Sequence, residues 1–188
     1  MWRCKMVYSR LKTGFLLILV FFSVTFVANT TPSWFKELVI ESRSGHGLIV
    51  DEQIIDDLYE SIIEISEKYD LDPLIIIALI KVESEFRNVV GMYGELGLVQ
   101  IKPQTAQFVA QIYDLSEPEE GWITLLWNYE LNIEYGVLYL KYLIQRTSGN
   151  LLKALELYNG GSMKTEYANR IFQQYKELMA YQITDSRR

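Results

Sequence analysis

The run Leu74 to Ile80 (LIIIALI) is apolar on every face and follows directly on Asp72 and Pro73. An Asp at this place accepts a hydrogen bond from an otherwise unpaired N–H at a helix start, and Pro is tolerated in the first turn. The run is far shorter than the ~20 residues a bilayer-crossing helix needs, and a helix without a polar stripe has to be surrounded. This rod therefore belongs at the centre of a folded domain, with other elements closed around it.

Those other elements read as helices. Ile54, Leu58, Ile62 and Ile65 recur at helical spacing, as do Val137, Leu140, Leu143 and Ile144, and Pro103 with Thr105 suits the start of a further helix through Ile112. No alternating run is long enough for a useful strand, so the fold class is all-α, with a short irregular or β-like loop between Arg87 and Leu96. At 188 residues the chain holds one domain large enough to bury a real core.

The N-terminus has the pattern of a targeting segment. Arg3, Lys5, Arg10 and Lys12 carry positive charge with no acid among them, and the apolar stretch Gly14 to Ala28 follows. Positive charge stays on the cytoplasmic side, so the domain is exported to the cell envelope. The segment 1–29 is a signal peptide or a signal anchor. It is read as an anchor because a cut after Ala28 would put bulky Phe26 where a small residue is preferred. Residues 30–50, with Pro32 and SRSGHG, read as a linker, although Trp34, Phe35, Leu38 and Val39 also have the spacing of a short packed helix. The main domain is expected over 51–182, with a tail over 183–188.

Glu83 sits on the apolar rod one turn after Leu79 and Ile80. A carboxyl group carried out of a core is partly desolvated, which disfavours its charged form and raises its pKa, as a general acid working near neutral pH requires. A lone Glu on a helix is ordinarily a solvated residue. Its neighbours distinguish this one: Ser84 and Phe86 follow it, then Gly94, Gly97, Leu98, Val99, Gln100, Pro103 and Thr105, with glycines that let a backbone approach a ligand closely. Further on come Asn132, Ile133, Gly136, Tyr139 and Leu140. Leu157, Tyr158, Asn159 and Gly160 then end a helix in what reads as a glycine stop with a left-handed residue, and Tyr167 lies in TEYANRI on a last helix from about Lys164 to Tyr181.

In this order, over about residues 52 to 180, these strings resemble the lytic transglycosylases of bacterial cell walls, whose domain has the fold of goose-type lysozyme. The resemblance implies a lysozyme-like helical domain that acts on peptidoglycan glycan strands without metal or organic cofactor. It further implies Glu83 as the catalytic acid and base, and Ser84, Gln100, Tyr158, Asn159 and Tyr167 as substrate-binding residues. On local bonding options Ser84 either hydrogen-bonds near the Glu83 carboxylate or caps the helix end. Gln100 bonds a sugar or the loop backbone, Asn159 fixes its turn, and Tyr167 offers its hydroxyl to the acid or the sugar. Phe86, Leu98, Pro103 and Thr105 are structural.

The implied reaction cleaves the bond between N-acetylmuramic acid and N-acetylglucosamine and leaves a 1,6-anhydromuramoyl end. One motif Glu suits a scheme in which the sugar's acetamido group assists, whereas retaining glycosidases of the common kind use a second carboxylate about 5 Å away. Glu95, between Gly94 and Gly97, is the acid that could hold a water and convert the enzyme into a hydrolytic muramidase. Glu85 reads as solvated. Three positions depart from the family pattern: Val99 stands where Met is usual, Lys102 replaces another frequent Met, and Gly91 replaces a polar residue that contacts a sugar N-acetyl group. Gly91 and Lys102 keep open a different reading, a catalytically silent glycan-binding scaffold of a secretion or wall-spanning apparatus.

Cysteine, histidine and charge exclude other classes. Cys4 is the one cysteine and lies in the basic leader, so neither an internal disulfide nor a cysteine metal site is available. His46 is the one histidine and makes neither a metal site nor a Ser/His triad; it reads as a solvated loop residue. Without the four leader cations, 14 Lys+Arg face 24 Asp+Glu, which argues against nucleic acid as a partner. A glycan is bound instead by stacking and hydrogen bonds, for which Tyr93, Tyr113, Trp122, Trp127, Tyr129, Tyr158 and Tyr167 are the available aromatics, most of them core by default.

Overall fold

The computed structural model describes residues 30–185. Among them are seven α-helices: α1 (Ser33–Ser44), α2 (Glu52–Tyr69), α3 (Pro73–Ser84), α4 (Pro103–Tyr113), α5 (Tyr129–Arg146), α6 (Leu151–Tyr158) and α7 (Lys164–Asp185). A 3₁₀ turn, Trp122–Leu126, precedes α5. The domain is all-α. The segment 1–29, expected as signal or anchor, lies outside the described residues, and among those described no helix is long and apolar enough to cross a membrane.

Helix α3 is the centre of the fold. The Asp72 side chain accepts from the Leu74 N–H at 2.9 Å, Pro73 takes the first turn, and every residue from Leu74 to Ile80 is buried. With no solvated face of its own, α3 is enclosed by α2 and α7, while α5 packs on α2, α4 and α6, and α6 on α7. The loop after α3 closes through isolated antiparallel bridges, Val90 with Leu96 and Leu96 with Ile101. The β-like character expected between Arg87 and Leu96 thus extends to Ile101.

Two local expectations are corrected by packing, at Ile54 and at the end of α6, and one left open is decided. On α2 the inward residue is Ile55, fully buried, and Ile54 is 49% exposed. Both spacings fit one stripe with Leu58, Ile62 and Ile65, and only the neighbouring helices select between them. Of the two readings open for 30–50, the packed helix is the one formed over Ser33–Ser44: Phe35 and Val39, one turn apart on α1, are buried, Phe35 against Tyr59 and Phe86. His46 is exposed in the turn after α1, as expected of a solvated loop residue, and its ring lies 3.2 Å from both Arg87 Nη1 and Glu85 Oε2. Helix α6 stops without a left-handed glycine. Asn159 is extended (φ −74°, ψ 117°) and its Oδ1 accepts from the Gly161 N–H at 2.8 Å, so a side-chain turn closes the end.

Candidate active site

The carboxyl group of Glu83 is placed by the way α3 ends. Glu85 (φ 52°, ψ 44°) and then Phe86 (φ 60°) take left-handed conformations with no glycine present. Each such residue costs roughly 1–2 kcal/mol, so the surroundings must impose the turn. Phe86 is fully buried, and its ring meets Phe35 edge-on at 6.0 Å. The Ser84 carbonyl accepts from both the backbone N–H (3.1 Å) and Nε (2.9 Å) of Arg87.

Across from this turn, the loop 89–101 is held in a shape no regular element supplies. The Gly97 N–H donates to the Val89 carbonyl, and Gln100, itself left-handed at φ 49°, donates its amide N–H₂ to the carbonyls of Val89 (3.0 Å) and Gly97 (2.8 Å). From α5, the fully buried Asn132 accepts from the Val99 N–H at 2.9 Å and donates to the Leu96 carbonyl at 2.8 Å. Gly97 (φ 72°) has to be glycine, since a Cβ there would come within 2.5 Å of Asn132 Nδ2 and the Leu125 carbonyl oxygen. The Tyr158 hydroxyl donates to the Val99 carbonyl at 3.1 Å, with its ring 5.2 Å from that of Tyr139.

These walls enclose a cleft of about 720 Å³ whose lining includes Glu83, Tyr93, Glu95, Gln100, Lys102, Tyr158, Asn159 and Tyr167. Five of the six residues singled out from the sequence thus meet there. The sixth, Ser84, is turned away: it is 1% exposed and its hydroxyl donates to the Leu98 carbonyl at 2.7 Å, which ties α3 to the loop and leaves it behind the wall. Of the two options open for Gln100, the backbone one is realised for its nitrogen.

The electrostatics single out one group. Burial pushes the Glu83 carboxyl up to about 7; the Tyr167 hydroxyl, which donates to Glu83 Oε1, and the charge of Arg170 pull it down, and the charge of Glu95 adds to the rise. Burial, and after it the nearby Glu83 charge, holds the hydroxyls of Tyr158 and Tyr167 protonated well beyond the usual tyrosine range. Glu95 behaves oppositely. Burial works against its ionisation, but backbone N–H groups, including that of Tyr93 at 2.9 Å, and the ammonium of Lys102 at 3.3 Å together hold it below the usual carboxylate range. The cleft therefore holds one carboxyl group that carries a proton near neutrality and one that does not.

The departure at Gly91 has a steric explanation. A Cβ on Gly91 would lie 2.5 Å from Glu95 Oε2 and 2.6 Å from Gln100 Oε1, so these oxygens occupy the space a polar side chain at 91 would fill. Lys102 pairs with Glu95 and lies 5.5 Å over the Tyr93 ring, at the cleft edge. Two contributors went unassigned in the sequence. Asn132 was visible only as part of a string, and Arg170 had no signal, because its effect on Glu83 depends on the docking of α7.

The described residues form an all-α domain in which one cleft holds two carboxyl groups of opposite character, and comparison with known proteins identifies its family. The transglycosylase SLT domain pattern matches residues 60–180, and the chain belongs to that family. Among solved structures, it is similar to an inactive mutant of the lytic transglycosylase Slt from Pseudomonas aeruginosa, at 17% identity and a TM-score of 0.58, over 67% of this chain and 24% of that one. It is also similar to the 70 kDa soluble lytic transglycosylase from Escherichia coli, at 21% identity and a TM-score of 0.56, over 66% of this chain and 24% of that one. At these identities the likeness is one of fold, and it extends over about a quarter of each enzyme.

Proposed function

We propose that the chain is a peptidoglycan lytic transglycosylase of the cell envelope, attached to the membrane through residues 1–29. The observation that carries this reading is Glu83: a carboxyl group raised to about 7, hydrogen-bonded by Tyr167, in the lining of a cleft of about 720 Å³. Glu83 protonates the glycosidic oxygen between N-acetylmuramic acid and N-acetylglucosamine. As the carboxylate it then takes the proton from the muramoyl C6 hydroxyl while that oxygen attacks C1. The acid is regenerated, no water is consumed, and the product is a 1,6-anhydromuramoyl end. Tyr167 orients the carboxyl group, Gln100 presents Oε1 to the sugar, Tyr158 and Asn159 form the facing wall, and Ser84 acts through the loop it ties down.

Glu95 supports a second reading. It is an ionised carboxylate lining the same cleft, able to hold and activate a water, and a hydrolytic muramidase would follow. Mass spectrometry of the products released from purified peptidoglycan by the full chain in detergent decides between them. Anhydromuropeptides establish the transglycosylase, and reducing muramic acid ends establish the hydrolase. Binding with no released product leaves the silent scaffold.

Tyr167→Phe has an effect of definite sign. The hydroxyl donates to the carboxylate and so favours the charged form of Glu83. Without it the carboxyl pKa rises further, and the alkaline limb of the pH–rate profile moves to higher pH. At the same time kcat falls, by roughly ten- to a hundredfold, because the acid loses its orienting bond. A limb that stays in place or moves down would remove Tyr167 from this role.

A further inference from the structure

The family segment begins at residue 60, yet the turn that carries Glu83 is held from outside it. Arg43, in the last turn of α1, donates from Nη1 to the Phe86 carbonyl at 3.0 Å, 43 positions along the chain. That carbonyl belongs to the second of two consecutive left-handed residues, three positions after Glu83. A second attachment lies beside it: Lys81 Nζ, on the last turn of α3, donates to Ser42 Oγ, which is itself 4% exposed. A third is His46, whose ring joins Glu85 and Arg87, the residues on either side of Phe86. Beside these, Phe35 of α1 meets the Phe86 ring edge-on. Every residue from Glu85 to Arg87 is thus gripped by the segment Phe35–His46.

No fold-level requirement explains that concentration. A helix docked only to cover the core would be served by Phe35 and Val39, which are already buried. The polar contacts go instead to one carbonyl and two side chains of the strained turn, and Arg43 Nε is buried without a hydrogen-bond partner. A guanidinium placed at that desolvation cost has one backbone acceptor to show for it, and that acceptor sets the conformation of the turn after the acid.

We infer that α1 and the turn after it form a strap that fixes the orientation of Glu83, with Arg43 as a positioning residue. The functional unit then begins at Ser33, ahead of the family segment. Its activity readout rests on Glu83 being the acid proposed above; a second readout does not.

The test uses the full chain in detergent micelles with Arg43→Met and Arg43→Lys. With the strap cut, the turn relaxes toward right-handed conformations and water reaches the carboxyl group. In Arg43→Met, kcat on peptidoglycan is expected to fall about tenfold or more with KM changed less than twofold, consistent with a small misplacement of a catalytic group. The alkaline limb is expected to move to lower pH, and the ¹³C NMR titration of the Glu83 carboxyl group to move the same way. Arg43→Lys returns both toward the native values, because an ammonium can serve the single acceptor and Nε has no bond to lose. A lower melting temperature with unchanged kcat, limb and titration would overturn the inference and reduce α1 to a cover. Should the native chain release no product, the enzyme reading fails, and the carboxyl titration alone still decides the strap. If Arg43→Met does not fold, His46→Ala decides, since it cuts the exposed end of the strap only: a downward shift of the titration supports it and no shift overturns it.

Discussion

Glu83→Gln is expected to fold, bind glycan and release no product, with cleavage reduced at least about a thousandfold. In the proposed mechanism one group serves as acid in the first half of the reaction and base in the second, so the upper part of the usual range for general acid–base catalysis applies. The variant also makes a stability prediction that separates it from nonspecific damage. With its folded-state pKa near 7 and an ordinary value of 4.5, Glu83 is protonated in both states at low pH. As pH rises from about 4.5 to 7 the unfolded chain ionises first, and stability contributed by keeping the group neutral is progressively lost until the folded state ionises as well. Gln cannot ionise and still accepts the Tyr167 hydrogen bond. Melting curves should therefore coincide near pH 4, and at pH 8 the variant should be the more stable, by about 1–2 kcal/mol once the partial exposure of the carboxyl group is discounted. Substantial residual cleavage would remove Glu83 from the mechanism. Equal melting temperatures at pH 8 would show that the carboxyl group is not held neutral.

The second large effect is expected at Asn132, which touches no substrate. Asn132→Ala deletes both hydrogen bonds from α5 to the loop and leaves the Val99 N–H buried without a partner, while the Leu96 carbonyl keeps only the Ile101 N–H at 3.2 Å. The buried orphan costs about 1–3 kcal/mol and the second lost bond about 1 kcal/mol, so a loss of roughly 2–4 kcal/mol follows, a sizeable share of the stability of an ordinary domain. Thermal melting should drop by about 10 °C. Asn132→Asp provides the informative control: it still accepts from Val99 but sets an anion against the Leu96 carbonyl, so it should be no better than Ala. An Asp variant of native stability would mean that the Leu96 bond is dispensable.

The contrast between Glu83 and Asn132 shows what the sequence made legible. Helix α3 could be read because its signals are local: an N-cap, a proline and an apolar run state their structure without reference to the rest of the chain. The acid could be read because it ends that run and is followed by a recognisable loop. The register of α2 could not, since Ile54 and Ile55 are equivalent until α5 is in place. Nor could the aim of Ser84, which depends on where the Leu98 carbonyl arrives, or the grip of Arg43, whose partner is the backbone of a turn that no propensity predicts. His46 is the solvated loop residue that its Gly/Ser-rich surroundings suggest, and only the fold brings Glu85 and Arg87 to it.

The bond between Tyr167 and Glu83 joins positions 84 residues apart. Tyr167 lies on α7, so the carboxyl group obtains its hydrogen-bond partner only after 84 further residues have been made. Synthesis proceeds at about 5–20 residues per second, so for several seconds a ribosome-bound chain can present a complete α3 and loop without an oriented acid. A chain released early, or cut before α7, carries Glu83 and cannot use it well. On the reading proposed above, a wall-cleaving activity would in this way be held back until the helix that carries Tyr167 has docked.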